Sequence, residues 1–177
     1  MNIEQFVAQS IGEWRSMRSG HSLAFQQFED VLSEISITSV QTDDQRLEAI
    51  IEASGLTIKE IDSPFQMEWN AESDWEPDDP NDVSSGSCII IPFPESETSG
   101  KLLRSVGYAE SVPAESHYNF LDDGTFTLTT QYDQSIAEER IWFISENVRC
   151  RSSALKTSAG SGILQTSFAS EVRKIKV

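Results

Sequence analysis

"IAEERIWFISENVRCRSSALKTSAGSGILQTSFASEVR", residues Ile136–Arg173, holds three strand-length stretches, Ile136–Ser145, Val148–Ser158 and the start of Ile163–Lys176. "SAGSG", Ser158–Gly162, joins the last two with hairpin chemistry. Successive side chains of a strand point to opposite faces, so each stretch sorts by parity. Arg149, Arg151 and Ser153 share one face, opposite Val148, Cys150 and Ser152. Ala137, Glu139, Ile141 and Phe143 oppose Ile136, Glu138, Arg140, Trp142 and Ile144. Ser167, Ala169, Glu171 and Arg173 alternate with Thr166, Phe168, Ser170 and Val172. Three polar stripes thus arise on neighbouring strands.

The rest of the chain reads the same way. Further strands are expected at Gly12–Phe25, Glu34–Thr42, Ser63–Glu72, Ser87–Pro94, Lys101–Glu110, Ala114–Leu121 and Thr125–Gln131. "DDGT", Asp122–Thr125, is another hairpin joint, and "EPDDPND", Glu76–Asp82, is a turn-rich loop. Helical patterning is confined to Asn2–Ser10, a short amphipathic helix ended by Gly12, and to "DDQRLEAIIEAS", Asp43–Ser54, with early acids and a Gly55 stop. The expected fold is mostly β, a ten-stranded antiparallel up-and-down barrel with one or two short α-helices. Closure removes sheet edges, and a barrel of this size encloses one small ligand, as lipocalins do. A two-sheet sandwich is the structural alternative.

At 177 residues the chain makes one domain, residues 1–177, with ordinary apolar and charged fractions. No apolar run reaches the roughly 18–20 residues that span a bilayer, and "MNIEQFVAQS" lacks a signal peptide's basic cluster. A cytoplasmic location without membrane insertion is expected. Two cysteines and two histidines, scattered along the chain, give no metal signature and no disulfide framework. The net charge of −16 argues against nucleic acid as a partner. Between Glu60 and Gly100 there are eleven acids and no lysine or arginine. That segment is a solvated face, or a rim that meets a more basic partner protein.

Which faces turn inward is open on composition alone. Outside, alternating arginines and glutamates are routine cross-strand pairs. Inside, buried guanidiniums need carboxylates or an anionic ligand. An interior holding Arg149, Arg151, Glu139 and Glu171 opposite Met67 and Trp69 would suit a large flat ligand with acidic groups and N–H donors. Arginine forks bind carboxylates with about 1.5–3 kcal/mol per bond, while indole and thioether cover a conjugated plane.

"GEWRSMRSGHSLAF" (Gly12–Phe25), "MEWNAESDW" (Met67–Trp75), "VRCRSS" and "FASEVRK" together resemble the S-type phycobiliprotein lyases, the CpcS/CpeS family, in order and spacing. The resemblance runs over essentially the whole chain. It implies a ten-stranded lipocalin-like barrel with an associated helix that binds an open-chain tetrapyrrole, phycocyanobilin or phycoerythrobilin. It implies a lyase that passes this bilin to a cysteine of a phycocyanin, allophycocyanin or phycoerythrin subunit, forming a thioether. Carried over by position, Arg149 and Arg151 meet the propionates and Ser153 lies on the same wall. Glu139 and Glu171 engage pyrrole nitrogens or tune their protonation. Met67, Trp69 and Trp75 line the pocket or its mouth, and Arg18 is a further ligand residue or a structural ion-pair partner. Trp14 belongs to the core, His21 is a local hydrogen-bonding residue rather than an acid–base catalyst, and Trp142 lies off the site.

No redox cofactor is required, because the chemistry is addition of a thiol across the ethylidene of ring A. Cys150 falls between two inward arginines and so faces away, while Cys88 reads as a small buried hydrophobe. Neither is expected to form an obligatory covalent intermediate. The alternative function is a non-catalytic carrier of a bilin, fatty acid or other hydrophobic ligand. A homodimer is plausible for a barrel with exposed strand faces.

Overall fold

A computed structural model of the protein describes residues 1–54, 61–73, 85–105, 114–158 and 162–175. Its first element rests on a capping box. The Asn2 side chain accepts from the Gln5 backbone N–H at 2.9 Å, and the Gln5 side chain accepts from the Asn2 N–H at 3.1 Å. These satisfy two donors that a helix start otherwise leaves orphaned. Helix α1 (Ile3–Ser10) then buries Ile3, Phe6, Val7 and Ser10.

Ten strands follow in a closed antiparallel barrel. They are β1 (Gly12–Ser22), β2 (Gln27–Ser39), β3 (Phe65–Ser73), β4 (Ser85–Pro94), β5 (Ser99–Arg104), β6 (Ala114–Phe120), β7 (Phe126–Gln131), β8 (Ser135–Ser145), β9 (Val148–Thr157) and β10 (Ile163–Arg173). Each strand pairs with its neighbours in sequence, and β1 pairs with β10 to close the ring. The expected barrel is therefore the observed one, and the sandwich is excluded.

The strand bounds differ most at the first hairpin. β1 stops at Ser22 rather than Phe25, and β2 begins at Gln27, seven residues before the expected Glu34. The turn Leu23–Gln26 contains no Gly, Pro, Asn or Asp. Gln26 itself takes the left-handed conformation that turns need, with φ 53°. Composition carries no trace of such a turn.

Helix α2 (Gln45–Ser54) lies outside the barrel, where Leu47 and Ile51 pack with Val40, Ile89, Ile91 and Leu103. Burying each of those two side chains stabilises the fold by about 1.5–3 kcal/mol. β4 and β5 are consequently apolar on both faces. Helix α1 instead fills one end of the barrel. Phe6 stacks on Phe126 with ring centroids 4.4 Å apart and meets Phe120 and Phe143 edge-on.

Arg173 fastens α1 in place. Its guanidinium donates to the carbonyls of Gln9, at 2.6 Å, and Ile11, and it lies 4.3 Å from the Trp14 ring centre. Gly12, directly after α1, has φ +132°, and a Cβ there would stand 2.6 Å from the Arg173 Nη1. Glycine is needed at that joint on both counts.

Candidate functional site

Between α1 and the barrel wall lies a cavity of about 270 Å³. Its floor is apolar, with Ile3 and Phe6 from α1 and Ile37, Phe65 and Phe126 from the strands. Met67 and Trp69 line it from β3. The indole of Trp69 depends on Gly86 in the paired strand, where a Cβ would stand 2.4 Å from Cζ2.

Three arginines reach this mostly apolar space: Arg104, Arg149 and Arg151. The two on β9 share a face by parity, and their place in the cavity lining makes it the inner one. Arg149 is 3 % exposed and lies 4.4 Å from the Trp14 ring centre, a cation–π contact. Burial pulls its pKa down, against the opposing pull of Glu171. Its Nε donates to Glu171 Oε2 in a very short contact, and Ser16 Oγ donates to Glu171 Oε1 at 3.2 Å.

Glu171 is 1 % exposed and is not among the cavity-lining residues. It stands behind Arg149 and orients it, without itself facing the space a ligand would fill.

Glu139 sits between two cations. Arg104 donates to its Oε2 at 2.7 Å and Arg151 to its Oε1 at 2.8 Å. Burial pushes the carboxyl pKa up, but Arg104 and then Arg151 outweigh it and hold it at about 2. Glu139 is therefore a permanent carboxylate near neutral pH. Like Glu171 it is not among the cavity-lining residues, so it orients Arg104 and Arg151 from behind the wall and carries no proton to donate.

The other candidate residues divide. Ser153 is on the interior face of β9, hydrogen-bonded to Ser167 at 2.7 Å, beyond the cavity lining. Arg18 pairs with Glu29 at 3.5 Å and also lies off the cavity. Trp75 and the acidic Asp74–Asp82 loop lie outside the described residues. Trp14 is wholly buried, and His21 stacks on Phe28 at 4.2 Å. Trp142 is on the outer wall beside Phe168. Cys150 pairs with Trp142 on that same side, as its parity requires.

Cys88 is buried as expected, and it also lines the cavity. Arg104 is the residue that sequence reasoning missed. It shares parity with buried Leu102, but α2 buries Leu103 as well, so alternation along "KLLR" selects no face. Among the described residues Arg104 Nε is buried without a hydrogen-bond partner, on a side chain that lines the cavity. Among the described residues no three His, Cys, Asp or Glu side chains gather where a metal ion could be held. No described helix is long and apolar enough to cross a membrane.

The family model described as "CpeS-like protein" matches residues 2–174. The chain belongs to this CpeS-like family. Among its members, "Chromophore lyase CpcS/CpeS 3" of Trichodesmium erythraeum is 49 % identical over 98 % of this chain and 99 % of that one. "Putative phycoerythrobilin lyase CpeS" of Microchaete diplosiphon is 42 % identical over 89 % of this chain and 71 % of that one. A solved structure, the S-type phycobiliprotein lyase CPES from Guillardia theta, superposes with a TM-score of 0.84 at 39 % identity. That superposition covers 100 % of this chain and 95 % of the other. The barrel with its end-filling helix is thus the architecture of a CpeS-like lyase.

Proposed function

We propose that this CpeS-like protein is a chromophore lyase that holds a phycobilin in the barrel and delivers it to a cysteine of a phycobiliprotein subunit. The observation that carries the reading is the set of three arginines in an apolar cavity beside Met67 and Trp69. An open-chain tetrapyrrole has that complement: a flat conjugated body with two carboxylates. The relatives named as chromophore lyases support the same reading.

In the reaction the acceptor thiol adds across the ring A ethylidene. A carbon–sulfur bond forms, the π bond is consumed, and the thiol proton ends on the adjacent ring carbon. Nothing is oxidised or reduced. Arg149, Arg151 and Arg104 hold the propionates, while Met67 and Trp69 cover the ring plane and Glu139 acts through Arg104 and Arg151 as a positioning residue. Glu171 acts through Arg149 as a positioning residue. Fixing one conformer of a flexible substrate is worth several kcal/mol of barrier when reacting groups align. The reacting thiol belongs to the acceptor.

Phycocyanobilin and phycoerythrobilin are the candidate substrates, and phycocyanin, allophycocyanin and phycoerythrin subunits the candidate acceptors. Reconstitution with each pairing tests this, reading zinc-enhanced fluorescence of the denatured acceptor. A carrier without transfer activity would bind pigment yet leave attachment at the spontaneous level.

We assign a homodimer contact to the outer wall of β8, β9, β10 and β1, which exposes Met17, Phe168 and Val172. One register row runs Arg140, Ser152, Phe168, Ser19, Asp30, with opposite charges at its ends. A two-fold axis through its middle sets Arg140 of each copy against Asp30 of the other.

A further inference from the structure

Ser10, the last residue of α1, is 2 % exposed and lines the cavity, and its hydroxyl has no hydrogen-bond partner. Ser54, the last residue of α2, shows the usual behaviour and donates to the Ile51 carbonyl at 2.6 Å. Ser10 is firmly placed, because its carbonyl accepts the Trp14 indole N–H at 2.8 Å. A hydroxyl buried without a partner destabilises the fold, and a ligand group in the cavity would relieve that.

Resting on the bilin reading above, we propose that Ser10 Oγ hydrogen-bonds the terminal lactam of the bilin ring that does not take the thiol. That ring enters first and lies against α1. A lactam offers both an N–H and a C=O, and a serine hydroxyl accepts and donates. The order of groups agrees as well. A bilin runs from a terminal lactam ring through two propionate-bearing rings to the ethylidene ring. The cavity wall runs from Ser10, through Arg149 over the Trp14 indole that Ser10 holds, to Arg151 two residues further along β9.

Size points the same way. The cavity of about 270 Å³ stands at the small end of the ~300–1,000 Å³ of pockets that bury most of a drug-sized ligand's surface. A tetrapyrrole is larger than such ligands, so part of it stays beyond the cavity, away from α1. The part left outside has to be the ethylidene ring, because the thiol that attacks it is carried by another protein. Ser10 thereby sets the direction in which the substrate is held.

The test is titration of wild-type protein and Ser10→Ala with phycocyanobilin, followed by visible absorption, alongside thermal unfolding of both without pigment. The expected result is an affinity lowered about three- to tenfold, the weight of one hydrogen bond, with an unfolding temperature unchanged or raised. Equal affinity and equal spectra for the two proteins would overturn the assignment of Ser10 while leaving the bilin reading intact. A wild-type protein that binds no bilin would overturn both. Mass spectrometry of the denatured complex supplies a second arm, because Cys88 lines the same cavity. Pigment recovered free supports an outward ethylidene ring, and a thioether on Cys88 would place that ring inside and overturn the direction.

Discussion

Glu139 carries the clearest consequence at the scale of single residues. Its folded-state pKa of about 2 lies below the ordinary value of 4.5, so folding favours the ionised form. That contribution is complete above the unfolded pKa and is lost as pH falls from about 4.5 toward 2, a loss on the order of 3 kcal/mol. Denaturant unfolding at pH 7 and pH 3 captures about 2 kcal/mol of it, because folded Glu139 is still mostly ionised at pH 3. Glu139→Gln should remove most of the difference, and at pH 7 it should destabilise by about 3–5 kcal/mol by leaving two buried guanidiniums unbalanced. Gly86→Ala makes a different kind of change. The added methyl meets the Trp69 indole at 2.4 Å, so we expect about 1–3 kcal/mol of destabilisation together with an altered spectrum of bound bilin. An unaltered spectrum would mean that Trp69 does not touch the pigment.

At the scale of elements, α1 is both a wall of the cavity and a helix of only eight residues. So short a helix is marginal without its cap and its packing. Asn2→Ala removes half of the capping box and should cost about 1 kcal/mol, read by thermal unfolding. Bilin binding should weaken with it, since Ile3 and Phe6 on the same helix form the floor.

Much at this scale was legible in the sequence. Alternation along "VRCRSS" set Arg149 and Arg151 on one face and Cys150 on the other, the family resemblance implied that the arginine face is the inner one, and both arginines line the cavity. Parity failed where its premise failed. Outer helix α2 makes β5 apolar on both faces, which hid Arg104. Parity also reports only a face, so it did not show that Glu139 and Glu171 both stand behind the arginines they hold rather than in the cavity lining. The left-handed Gln26 concealed the first hairpin because no turn-forming residue marks it.

At the scale of the whole molecule, a chain of net charge −16 concentrates cations where a dianionic substrate would lie. The same excess of acid repels a second copy unless the contact is apolar and charge-paired, which is what the outer wall offers. Trp142→Glu places a new acid on that wall beside Phe168, and the proposed contact predicts that sedimentation finds dimer for the wild type and only monomer for the variant. The central claim is that the interior arginines hold a bilin for transfer to an acceptor thiol. Arg151→Ala tests it most directly, since Glu139 keeps Arg104 as its partner and is not left unpaired. In reconstitution with phycocyanobilin and an apo acceptor subunit, wild-type protein should raise covalent attachment well above the spontaneous rate. Arg151→Ala should lower it by about tenfold or more, the weight of one charge-assisted hydrogen bond. Attachment by Arg151→Ala at the wild-type rate would contradict the account.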